Sequence, residues 1–200
     1  MKFPKINPLW IPLALNLFLL GEYFMDHGNA KNIVFVFWMQ SILLGLENIF
    51  MMLFARTGMP IMMNNQPSTT SIFSNIFSAG FFMVHYGVFI LAFGAIGVFS
   101  KQIPGELFHA KWVFPTIIIL AIGAILELPG KIMEVRKRSV SLMGLMFIPY
   151  LRLIPFVIII FGGEKLASLW LFPLFLLGKV LVDYIYFRFF NFNQAPQIQN

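Results

Sequence analysis

Six long apolar runs separated by polar breaks set out the chain: residues 8–25, 33–55, 76–99, 112–129, 143–162 and 167–190. A helix crossing the hydrocarbon core needs about 20 mostly apolar residues, and each run reaches or approaches that length. The pattern predicts an all-α membrane protein, a bundle of six transmembrane helices forming a single transmembrane domain over 1–200. The first run follows Lys2 and Lys5 as a signal peptide would. However, "LFLLGEYFMDHG" offers no small-x-small cleavage site, so an uncleaved first helix is expected. The longest break, 56–75, contains "RTGMPIMMNNQPSTTS" and reads as an exposed polar loop or a short interfacial segment.

Composition agrees with this layout. The 200 residues are 59% hydrophobic and 11% charged, against roughly 45–50% and about 25% in soluble domains. Twenty-five phenylalanines and twelve methionines supply much of the apolar bulk, as lipid-facing and core-filling side chains. The absence of cysteine excludes disulfides, thiolate catalysis, iron–sulfur clusters and zinc–thiolate sites. No Walker loop, dinucleotide fingerprint, HExxH or GxSxG is present. Neither a metal site nor a cofactor is predicted.

The net charge of +6 does not indicate nucleic acid, because the basic residues are scattered over short loops and form no stripe. Their distribution speaks instead to orientation. The N-terminus, the second and fourth loops and the C-terminus hold eight: Lys2, Lys5, Arg56, Lys131, Arg136, Lys137, Arg138 and Arg188. The opposite side holds four: Lys31, Lys101, Lys111 and Lys165. Both termini are therefore expected in the cytoplasm, with the chain multi-pass in a bacterial cytoplasmic (inner) membrane.

Ionisable residues inside spans are costly and tend to face the bundle interior. Here they are Glu47, with Gln40 and Asn48, in the second run; His85, beside Tyr86, in the third; and Glu127 in the fourth. Arg152 lies in the fifth, and Lys179 and Asp183 in the sixth. At a rise of about 1.5 Å per residue these depths all fall in the middle and one half of the membrane. Gln40 and Glu47, seven apart, share a helix face, and Lys179 and Asp183, four apart, can pair. A protonated His85 would balance the three acidic and two basic groups; in the structural reading the imidazole is neutral and bonds a carbonyl or Glu47. Gly80, Gly87 and Gly94 form a smooth stripe on the side of the third helix away from His85, which places that helix centrally.

The stretches "FWMQSILLGLENIF", "FFMVHYGVF", "YLRLIPFVIIIFGG" and "KVLVD" together resemble an uncharacterised family of bacterial polytopic integral membrane proteins, a domain of unknown function. The resemblance spans most of 33–190 and falls on Trp38, Gly45, Asn48, His85, Tyr86, Gly87, Arg152, Lys179 and Asp183. It departs at Gln40, where the family pattern has Glu, and in "RLIPFVIII", which lacks a second His after the Arg. The resemblance implies an architecture and a set of site residues. It implies no activity.

Three functions remain open at this point. In the first, the polar residues are inter-helix glue in a structural or accessory membrane component, with the lipid bilayer and a homo-oligomer or membrane-complex partner as its surroundings. In the second, the Glu/His/Arg/Lys/Asp layer serves a small transporter or an ion/proton pathway, with His85 titrating near neutral pH. The third is an intramembrane enzyme or haem-binding subunit. His27 and His109 are expected in outer loops far from His85, which disfavours two-histidine ligation.

Overall fold

A computed structural model describes residues 10–26, 30–55, 61–63, 66–68, 72–99, 106–137, 142–155, 157 and 171–192. In chain order these form α1 (Trp10–Met25), α2 (Ala30–Phe54), β1 (Ile61–Met63), β2 (Gln66–Ser68) and α3 (Ile72–Phe93), which runs on into a π-helical turn, Gly94–Val98. Then follow α4 (Val113–Lys137), α5 (Leu142–Leu151) and α6 (Leu171–Phe192). In the connection read as a polar loop, β1 and β2 pair antiparallel, with Ile61 opposite Ser68 and Met63 opposite Gln66.

The six expected helices are present. Among the described residues three are long and apolar enough to cross a membrane: α2, α3 with its π turn, and α4. The remaining apolar helical stretches, Ala14–Met25, Leu142–Leu151 and Pro173–Val182, are shorter. α5 is interrupted by a local feature. Pro155 has no N–H for the carbonyl of Leu151, and the chain tightens there into three-residue bonds, Arg152 N to Pro149 O at 3.1 Å and Leu153 N to Tyr150 O at 2.9 Å. Arg152 therefore stands at a break in the helix.

The centre of the bundle is α2, not the third helix. Buried positions occur all round α2, including Ile33, Val34, Val36, Phe37, Leu44, Asn48 and Met51, whereas α3 buries one face: Asn75, Ala79, Phe82, Tyr86 and Ile90. Hydrogen bonds give the directions of the neighbours. Asn75 reaches Ala55, Tyr86 reaches Ser41, and Trp38 reaches Ile90, so α3 runs antiparallel to α2. Asn32 meets Glu106 and Phe108, while Glu47 meets Lys131, so α4 runs parallel to α2.

The glycine stripe behaves differently from its expectation. A Cβ at Gly80 or Gly87 would meet nothing within 4 Å, while one at Gly94 would lie 2.7 Å from the Trp38 ring. The close approach of α2 and α3 rests instead on Gly45, where a Cβ would come within 2.5 Å of Tyr86 Cε1. The fourth helix also overruns its expected end. It continues through Pro129, a helix breaker in water that membrane helices tolerate. Its outer side exposes Phe114, Ile118, Ile122, Ile125 and Met133, and only 6% of its most apolar window is buried by protein. Such a face suits lipid and marks a membrane-associated chain.

These packing distances predict opposite outcomes for two glycines. Gly45→Val should lower stability by about 1–3 kcal/mol, the usual cost of overpacking, and Gly87→Ala should leave it unchanged. Thermal unfolding of both variants in one mild detergent checks the contrast.

Candidate functional site

Four elements converge on one charged cluster. Lys131, on α4, donates from Nζ to Glu47 Oε2 of α2 at 2.8 Å and to Glu127 Oε2 at 3.0 Å. Glu127 and Lys131 are four residues apart on α4, in the favourable acid-before-base order. The side chains grade from buried to open, with exposures of 8% for Glu47, 26% for Lys131 and 55% for Glu127. Arg152, beside the α5 break, acts electrostatically on Glu47 and on Tyr86 of α3. Two carboxylates and two cations thus give a formally neutral cluster, as a medium of low dielectric requires.

Next to this cluster lies a band of side-chain bonds that tie α3 to α2. The Tyr86 hydroxyl donates to the carbonyl of Ser41 at 3.0 Å, with the ring lying over Gly45. Trp38 donates from Nε1 to the carbonyl of Ile90 at 2.8 Å and packs edge-on against Phe99. Asn48 donates to the carbonyl of Leu44 in its own helix. Gln40, on the Glu47 face, is buried, and its Oε1 has no hydrogen-bond partner among the described residues; the same holds for Asn48 Oδ1.

The other expected members stand apart from this cluster. Lys179 is fully buried between α1 and α2, donating to Asn16 Oδ1 and lying 5.4 Å from the centre of the Phe37 ring. The side chain of Asp183, its expected partner, lies outside the described residues. His85 does not meet Glu47. It is exposed on the outer flank of α3, and its Nδ1 is 2.6 Å from the Tyr150 hydroxyl of α5. The single layer expected from depth is therefore three groups: Glu47–Lys131–Glu127 with Arg152 and Tyr86, Lys179 with Asn16, and His85 with Tyr150.

Two of these partners lie outside the polar positions that the apolar runs single out. The apolar run ends at residue 129, which places Lys131 in the following loop, whereas the helix continues to Lys137. The Glu-x-x-x-Lys spacing of Glu127 and Lys131 was the signal for a continuing helix. Asn32 had no signal of that kind. It accepts from Phe108 N at 2.8 Å and donates to Glu106 O at 3.1 Å, holding Phe108 at a positive φ of 64°. An aromatic residue in that conformation persists only where its surroundings over-determine it.

The model of a family described as "Family of unknown function (DUF6498)" matches residues 2–195. No curated protein and no solved structure matches the chain.

The gradation of burial yields a prediction for the ion pair. Removing one partner of a buried pair typically costs about 3–5 kcal/mol, because the other charge stays behind unpaired. Lys131→Met should approach that loss, and adding Glu47→Gln to it should restore part of the stability. Glu127→Gln should cost under about 1 kcal/mol, as for exposed pairs. Denaturation midpoints of the three variants, measured side by side, test the ranking.

Proposed function

The chain belongs to the DUF6498 family, and from that premise we propose that it is a structural or accessory component of a membrane, acting through its fold and through bound partners. One observation carries this reading: six buried or half-buried polar side chains bond from one element to another. Trp38, Tyr86, Asn75, Asn32, Lys131 and Lys179 each bond across to another element. Interhelical hydrogen bonds of this kind contribute little individually, under about 1 kcal/mol on average, but they fix register and rotation. In this reading the membrane is a bacterial cytoplasmic membrane, both termini lie inside, and the partner is a second copy or another membrane subunit. Gln40, Glu47, Asn48, Tyr86, Glu127, Arg152, Lys179 and Asp183 are then positioning residues.

A small transporter or ion/proton pathway is the second reading. It is favoured by the gradation from buried Glu47 to open Glu127, together with the unpartnered acceptor of Gln40 on the Glu47 face. Purification in mild detergent with native mass spectrometry, run beside a proteoliposome flux assay, separates the two. The structural reading expects a stoichiometric partner, a bound lipid or a defined oligomer, and no flux above empty vesicles. Proton or cation flux that disappears in Glu47→Gln, with the variant still folded, would overturn it.

The structural role also predicts how pins fail. Tyr86→Phe keeps the ring over Gly45 and removes only the hydroxyl, so it should destabilise by about 0.5–1.5 kcal/mol and leave any partner bound. Melting temperature and co-purified partner, compared with the parent chain, give the two readouts.

A further inference from the structure

His85 is left over from the scheme above. It sits thirteen residues from each end of the longest apolar span, Ile72–Val98, and that span contains no Asp, Glu, Lys or Arg. Its side chain is nevertheless exposed. Phe81, one turn before, stacks on the imidazole with ring centres 5.5 Å apart and planes 11° apart. Phe89, one turn after, meets it edge-on at 5.2 Å, and Tyr150 closes the side towards α5. The imidazole is fixed at Nδ1 by the Tyr150 hydroxyl.

A phenol O–H is a good donor and an imidazole nitrogen a good acceptor, so the hydroxyl is assigned as donating to Nδ1, which leaves the ring N–H on Nε2. The hydrogen bond to one ring nitrogen thus sets what the other presents. In hydrocarbon no water reaches this group, and an unsatisfied donor there costs several kcal/mol. A partner must therefore arrive from within the bilayer. It must also be neutral, since no charge on this helix would receive a charged one.

The rim of the site indicates the shape of that partner. Helices that pack against each other in membranes do so over small residues. On α3 the small residues are Gly80 and Gly87, which lie on the opposite flank, so a packed helix would choose that side. Around His85 the walls are broad aromatic rings, suited to stacking on a planar molecule. We propose that His85, Tyr150, Phe81 and Phe89 form a lipid-facing binding site for a planar, neutral, lipid-soluble carbonyl compound of the prenylquinone class. Nε2–H of His85 donates to a ring carbonyl and Phe81 and Phe89 flank the ring. The site binds; no electron transfer is assigned to it. It stands independently of the structural role proposed for the buried pins.

The test uses the full chain in quinone-free nanodiscs, with isotope-labelled histidine read by NMR. Only three histidines contribute, His27, His85 and His109, and His85→Gln assigns the signal. Titration with decylubiquinone should move the His85 Nε2 resonance saturably while His27 and His109 stay still. Decanol, which carries a hydroxyl but no ring, should not reproduce the shift. Phe81→Ala should weaken the apparent affinity. Tyr150→Phe should weaken it about tenfold, in line with losing one oriented hydrogen bond. Absence of a saturable shift, or an equal response to decanol, would overturn the proposal. So would a His85 shift that follows the number of chains per disc instead of quinone, which would make this flank an interface between copies. If Tyr150→Phe binds as the parent does while remaining folded, the assigned orientation of the imidazole is wrong and the proposal fails with it.

Discussion

A buried hydrogen-bonding group in hydrocarbon has no water to return to, and the bundle is arranged around that constraint. Asn16, Asn32, Trp38, Glu47, Asn75, Tyr86 and Lys179 each find an acceptor or donor on another element. Most of these bonds begin or end on α2, which makes that helix the axis. In water, apolar contact would itself draw helices together. In lipid the tails compete equally for every Leu and Phe, so specific bonds and close steric fits decide which faces meet. Gly45 under Tyr86 and Gly94 under Trp38 supply those fits, each beside one of the bonds.

The same constraint explains where charge is found. Glu47 could not be buried alone, and its partner Lys131 comes from α4 because that helix continues past Pro129. Lys131 shares its charge with Glu127 in the open, and Arg152 contributes a second cation from the broken α5. The break at Leu151–Leu153 thus has a structural role: it brings a basic side chain to bear on the acid of a neighbouring helix.

How much of this the chain itself disclosed depended on the kind of information needed. Apolar runs and rare charges were plain in the sequence, so the helices and the identities of Glu47, Glu127, Arg152 and Lys179 were legible. The family match agrees with the resemblance carried by the His-Tyr-Gly and Trp-to-Asn stretches. Which helix is central was not legible. A helix apolar all round is buried in a soluble protein, but in a membrane lipid can cover it as well as protein does. Depth was likewise readable from residue counts, whereas direction was not: His85 and Tyr86 are neighbours at one depth, yet Tyr86 points to α2 and His85 away from it. Lys131 lay beyond the end of the apolar run, and hydropathy does not show a helix continuing into a charged stretch.

The bond between Lys179 and Asn16 joins residues 163 positions apart. During synthesis α1 is complete long before α6 exists, so Asn16 must wait until every intervening helix has been made. Lys179, for its part, emerges when Phe37 and Asn16 are already in place to receive it. The bundle is therefore closed last where it was opened first. A chain that stopped before α6 would hold α2–α4 already pinned to one another, with the flank of α1 that Lys179 joins still open.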